Sequence, residues 1–170
     1  MMNLSLSDFV AAHLVLSLIG LSAGGGVMLG MLGGRTPPRL TALFLLSTLL
    51  ADVAGLLFPL VGGRHSFDPA PITSLMSLLA LVPTISARFR FKLAGPWSRI
   101  YVAGATLLLW LNASIAIRQA FVAIAYLRPL SDSAVPHVAQ FAVSAALVLL
   151  GLLAAEQMDD RTGGRHQPRL

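Results

Sequence analysis

Cysteine is absent from this 170-residue chain, which excludes disulfide scaffolds, thiolate zinc sites, cysteine-ligated iron–sulfur clusters and cysteine nucleophiles. Charge is scarce too: 11% of residues are charged against 56% hydrophobic, more apolar surface than one small soluble core could hide. Lysine occurs once, at Lys92, and the other basic residues are all arginine, a bias common in GC-rich bacterial genomes. Motifs of soluble enzymes are missing as well. No HExxH or GxSxG is present, and Gly24-Gly25-Gly26 lies inside an apolar run, where it cannot act as a nucleotide-binding loop. Asn112-Ala113-Ser114 matches a glycosylation sequon, at a depth that forbids its use. The reading is of a nonenzymatic protein.

What the chain does have is long apolar runs. Four strong ones cover 9–32, 40–61, 100–117 and 139–155, and a weaker one covers 72–87. An α-helix rising ~1.5 Å per residue needs roughly 20 residues to cross a ~30 Å hydrocarbon core. The pattern therefore predicts an all-α integral membrane bundle of five transmembrane helices, one domain over 1–158, and a flexible polar cytoplasmic tail over 159–170. The first run follows a segment without Lys or Arg and exceeds a signal-peptide core, so it is read as a retained span.

Punctuation residues set the expected boundaries. Helix 1 is expected over 8–33, with Asp8 as N-cap and Gly33-Gly34 ending it. Pro38 then opens helix 2, which stops at Gly62-Gly63. Pro69 and Pro71 mark a loop before helix 3, at about 72–88, which is short, rich in Ser and Thr, and contains Pro83. Helix 4 starts near Trp97, read with Tyr101 as an interfacial aromatic anchor, and reaches as far as Leu127 before Pro129. Helix 5 is expected from Ala134 or Pro136 to about Gln157.

Basic residues choose between four and five spans. With helix 3 crossing, one face receives Arg35, Arg39, Arg88, Arg90, Lys92, Arg99, Arg161, Arg165 and Arg169, and the other Arg64, Arg118 and Arg128. This asymmetry predicts an outside N-terminus and a cytoplasmic C-terminus. The formal charge of +5 is thereby explained by orientation, and because the basic residues form no continuous stripe, no nucleic-acid partner is expected.

Polar residues recur at helical spacing: His13, Ser17, Gly20 and Gly24 on helix 1, Thr41, Thr48, Asp52, Gly55 and Pro59 on helix 2, Asn112 and Gln119 on helix 4, and His137, Gln140, Ser144 and Gly151 on helix 5. Such faces turn away from lipid. Asp52 is the costliest of these, since a mid-membrane carboxylate costs about 2.5–3.5 kcal/mol unless paired, hydrated or protonated. It lies ~21 Å into helix 2, beyond the midplane toward the outside. His13, Arg118 and His137 are its expected partners, with its own protonation as the alternative. The predicted intramembrane cluster is His13, Asp52, Asn112, Gln119, His137 and Gln140, ringed by Arg64, His65 and Arg118. Arg118 and Arg128 are read as snorkelling to the interface, and His166 falls in the tail.

Leu56-Leu57-Phe58-Pro59, the Pro69-Ala70 turn, Ala94-Gly95-Pro96-Trp97 with Tyr101, and Leu111-Asn112 followed by Gln119-Ala120-Phe121 together resemble a family of uncharacterised small multi-pass bacterial inner-membrane proteins. The likeness covers roughly 41–140. Related sequences often carry a histidine after the Pro-Ala pair, where this chain has Pro71. The resemblance implies a multi-pass bacterial inner-membrane address and no activity.

Two functions compete at this level. One is a membrane-complex subunit or small transporter or proton-conducting unit with no cofactor, surrounded by lipid and able to form homo-oligomers or meet a partner through the small-residue face of helix 1, including Gly26, Gly30 and Gly34. The other is an electron-transfer protein in which His13 and His137 ligate a b-type haem near the outer face, with no other metal expected.

Overall fold

The computed structural model describes residues 6–61 and 70–163. Five long helices order the chain: α1 (Leu6–Leu32), α2 (Pro38–Val61), α3 (Ala70–Ile85), α4 (Trp97–Ala123) and α5 (Val135–Gly163). Five apolar helical stretches of 20 to 26 residues, one in each of α1, α2, α4 and α5 and one running from α3 into the turn after it, are long enough to cross a membrane. No strand occurs among the described residues. Successive helices alternate in direction. α1, α2, α3 and α4 pack as a ring, and α5 lies outside it against α1 and α4.

Local chemistry explains the boundaries. α1 ends in a Schellman turn: Gly34 takes φ 62, its N–H donates to the Met31 carbonyl at 2.8 Å, and the Arg35 N–H donates to Gly30 at 2.9 Å. Asp8 falls inside the first turns of α1, so it is not the N-cap that its position suggested.

α3 tolerates Pro83 by two adjustments. Thr84 and Ser86, which follow it, donate their hydroxyls to the Ala80 and Val82 carbonyls, which precede it, and the helix then widens into a π-helical turn, Ser86–Arg90. Together these give an apolar stretch of 20 residues, Pro71–Arg90. The doubtful third helix is therefore long enough to span.

α4 stops at Ala123, short of Leu127. α5 runs past Gln157 to Gly163, so Asp159 is helical and its carboxylate pairs with Arg99 at 2.6 Å. The first part of the expected tail is thus helix; the rest, with Arg165, His166 and Arg169, lies outside the described residues, as do Gly62, Gly63, Arg64 and His65.

One end of the bundle collects the α1–α2 turn, the α3–α4 connection and the end of α5. The contacts from Arg88 to the Thr36 carbonyl, Thr41 to Tyr101 and Arg99 to Asp159 tie it together. Arg35, Arg39, Arg88, Arg90, Lys92 and Arg99 are gathered there, whereas Arg118 and Arg128 sit toward the opposite end. Val27, Met31, Phe44, Tyr101, Val102 and Leu108 form the tightest part of the core. Tyr101 is thus a core residue bonded to Thr41 and does not serve as an interfacial anchor. Trp97 instead stacks on Phe91, with ring centroids 3.6 Å apart.

Candidate functional site

α2 carries its polar residues on one buried face. Thr41, Thr48, Asp52 and Gly55 are all buried, and their spacing of seven, four and three keeps them aligned along a helix. Each meets a different neighbour. Thr41 pairs with the Tyr101 hydroxyl of α4 at 3.2 Å. Thr48 accepts from Asn112 Nδ2 at 3.3 Å, and Asn112 also donates to the Leu108 carbonyl at 3.1 Å. Between these two contacts lies an apolar layer that includes Phe44 and Leu108.

Beyond that layer, toward the end of α2, the environment changes. Asp52 is 8% exposed and hydrogen-bonds the side chain of Ser77 on α3. Its Oδ2 is buried with no hydrogen-bond partner. One turn further on, α2 has Gly55. A Cβ there would collide with Ser74 Oγ of α3 and come within 3.9 Å of His13 Cε1. His13 also hydrogen-bonds the backbone of Ala51. Three helices therefore converge: α1 supplies His13, α2 supplies Asp52 and the close approach at Gly55, and α3 supplies Ser74 and Ser77.

The six predicted cluster residues separate in the structure. His13 and Asp52 share this junction. Asn112 lies deeper, as an α2–α4 clamp. Gln140 belongs to an α4–α5 seam, where it donates to Ser114 Oγ at 2.6 Å while Trp110 Nε1 donates to Ser144 Oγ at 2.8 Å. Gln119 is half-buried on α4 and joins neither group, and His137 is exposed on α5. Arg118, a suggested partner of Asp52, is exposed. The haem ligand pair thus occupies unlike surroundings, His13 held against α2 and His137 exposed. Among the described residues no three His, Cys, Asp or Glu side chains come together as a metal site.

Sequence reasoning missed Ser74 and Ser77. Their signal is the spacing, since residues three apart share a helix face, and in sequence it is masked because hydroxyls in a short apolar run equally weaken it as a span.

The helix 1 glycines are used inside the bundle. A Cβ at Gly24 would lie 2.8 Å from both Phe44 and Leu109, one at Gly20 would lie 3.1 Å from Ser47 Oγ, and Gly26 and Gly30 pack on Leu40 and Pro37. Gly25 alone among Gly20, Gly24, Gly25, Gly26 and Gly30 has open space around it.

Compared with known protein families, curated proteins and solved structures, the chain gives no match.

Proposed function

We propose that this chain is a small inner-membrane unit that binds and passes a proton or monovalent cation at Asp52, alone as an oligomer or as a subunit of a larger membrane assembly. The observation that carries the reading is the buried Asp52 carboxylate at a three-helix junction, with one oxygen bonded through Ser77 and Oδ2 without a partner. A side chain this expensive in lipid marks a functional position by default. Protonation neutralises it, and a small cation completes its coordination with the hydroxyls of Ser77 and Ser74. His13, against the same stretch of α2, is the neighbouring group able to relay a proton.

Access favours one side. The apolar layer of Phe44 and Leu108 separates Asp52 from the arginine-rich end, so the site exchanges with the opposite end in this conformation. In the proposed orientation the arginine-rich end faces the cytoplasm and the N-terminus lies outside. The bacterial inner-membrane address rests on the arginine bias and on the family resemblance.

The test is flux in proteoliposomes. A pH-sensitive dye inside the vesicles, with the membrane potential clamped by potassium and valinomycin, reports proton entry, and uptake of radiolabelled sodium without valinomycin reports cation flux. Asp52→Asn keeps size and polarity but cannot take the charged state, and it is expected to abolish flux while the protein stays folded. Flux equal to the parent in folded Asp52→Asn would sink the proposal.

A further inference from the structure

Among the described residues Arg88 is the least explained cation. It sits in the π-helical turn after α3 and reaches across to the α1–α2 turn, where its Nη2 makes a long contact of 3.5 Å to the Thr36 carbonyl. A guanidinium has five N–H donors. Its Nε is buried and has no partner. A buried N–H donor left without an acceptor is costly.

Arg88 also lies over the Phe89 ring, with its Cζ 5.9 Å from the centroid, and the nearby turns add further positive charge. Arg35 and Arg39 flank Thr36, and Arg90 and Lys92 follow Arg88 in the chain. No acidic residue occurs between Asp8 and Asp52 or between Asp68 and Asp132, so neither turn supplies a counter-charge. The acids at this end come from α5: Asp159 pairs with Arg99, Glu156 is exposed, and Asp160 follows. Orientation by basic residues accounts for cations at this end, but not for one drawn between two turns with an unpartnered nitrogen.

We infer that Arg88 and the α1–α2 turn hold the phosphate of an anionic phospholipid. Phosphate presents several acceptor oxygens in a geometry that a guanidinium fork matches, and basic pockets between membrane helices at the cytoplasmic boundary bind anionic headgroups. Place and flanks select a lipid over a free anion. The site lies where apolar helices give way to polar turns, and Phe89, Leu40 and Ile100, next in the chain to Arg88, Arg39 and Arg99, expose apolar surface at this end. These side chains receive the acyl chains while Arg88, Arg35 and Arg39 receive the headgroup. This site is separate from Asp52 and stands without it.

The experiment compares phosphatidylglycerol with phosphatidylcholine on the full chain purified in neutral detergent, by native mass spectrometry of bound lipid and by thermal stability on lipid addition. Phosphatidylglycerol is expected to be retained and to raise the unfolding temperature, and phosphatidylcholine to do neither. Arg88→Gln should reduce the phosphatidylglycerol preference about tenfold, the size of one lost charge-assisted contact. The double variant Arg35→Gln/Arg39→Gln alters exposed side chains, so it folds even where Arg88→Gln does not, and it should also lose most of the preference. Equal retention of the two lipids, or an unchanged preference in either folded variant, overturns the assignment. Displacement of bound lipid by inorganic phosphate alone would make this a free-anion site and equally overturn it.

Discussion

Asp52 concentrates the energetic question at the scale of single residues. Its carboxyl bonds Ser77 one turn from the close approach at Gly55, where His13 also packs, so replacement by leucine leaves buried polar groups without acceptors or donors. Asp52→Leu is expected to lose roughly 1–3 kcal/mol of stability in detergent, whereas Asp52→Asn should remain within about 1 kcal/mol of the parent. Chemical unfolding of both variants checks this, and a leucine variant as stable as the parent would mean that the carboxyl faces water. Much of this site is legible from cost and depth: a carboxylate in an apolar run demands compensation, and counting residues from the helix starts puts His13 near its level. Periodicity could not show which neighbour faces which, because azimuthal packing of helices depends on shapes all round the bundle. For that reason Gln119 and His137 were grouped with Asp52 although the structure keeps them apart.

Close approach of backbones governs the elements. Without a hydrophobic force between helices in lipid, packing and interhelical hydrogen bonds hold them together. Gly104 of α4 shows how tight this is: a Cβ there would run into the Thr84 side chain of α3, and Thr84 is held in place by its bond to the Ala80 carbonyl at 2.7 Å. Gly104→Ala should therefore destabilise the α3–α4 contact by about 1–3 kcal/mol. Gly25→Ala, with nothing within 4 Å of the new Cβ, should stay within about 1 kcal/mol of the parent. Unfolding curves for the two variants separate packing glycines from incidental ones. Element number was readable because run length tracks membrane thickness, and α3 was rescued as a span by its flanking arginines. The π-helical turn was not readable, since it depends on hydroxyls and Pro83 acting together. The end of α5 was misplaced because Glu156, Asp159 and Asp160 look like a tail, whereas Ser98 and Arg99 of α4 receive Asp159.

For the whole molecule, everything rests on five crossings with the arginine-rich turns on one side. The chain has no cysteine, so single cysteines can report accessibility against a silent background. Arg35→Cys and Ala94→Cys probe the two turns at the basic end, both exposed in the structure. Ser66→Cys probes the connection between α2 and α3, and Asp132→Cys that between α4 and α5. Expressed in a bacterial host and treated in intact cells with a membrane-impermeant thiol reagent, Ser66→Cys and Asp132→Cys should be labelled, and Arg35→Cys and Ala94→Cys only after the cells are lysed. Labelling of Ala94→Cys in intact cells, or protection of Ser66→Cys together with Arg35→Cys, would contradict the five crossings and the orientation built on them.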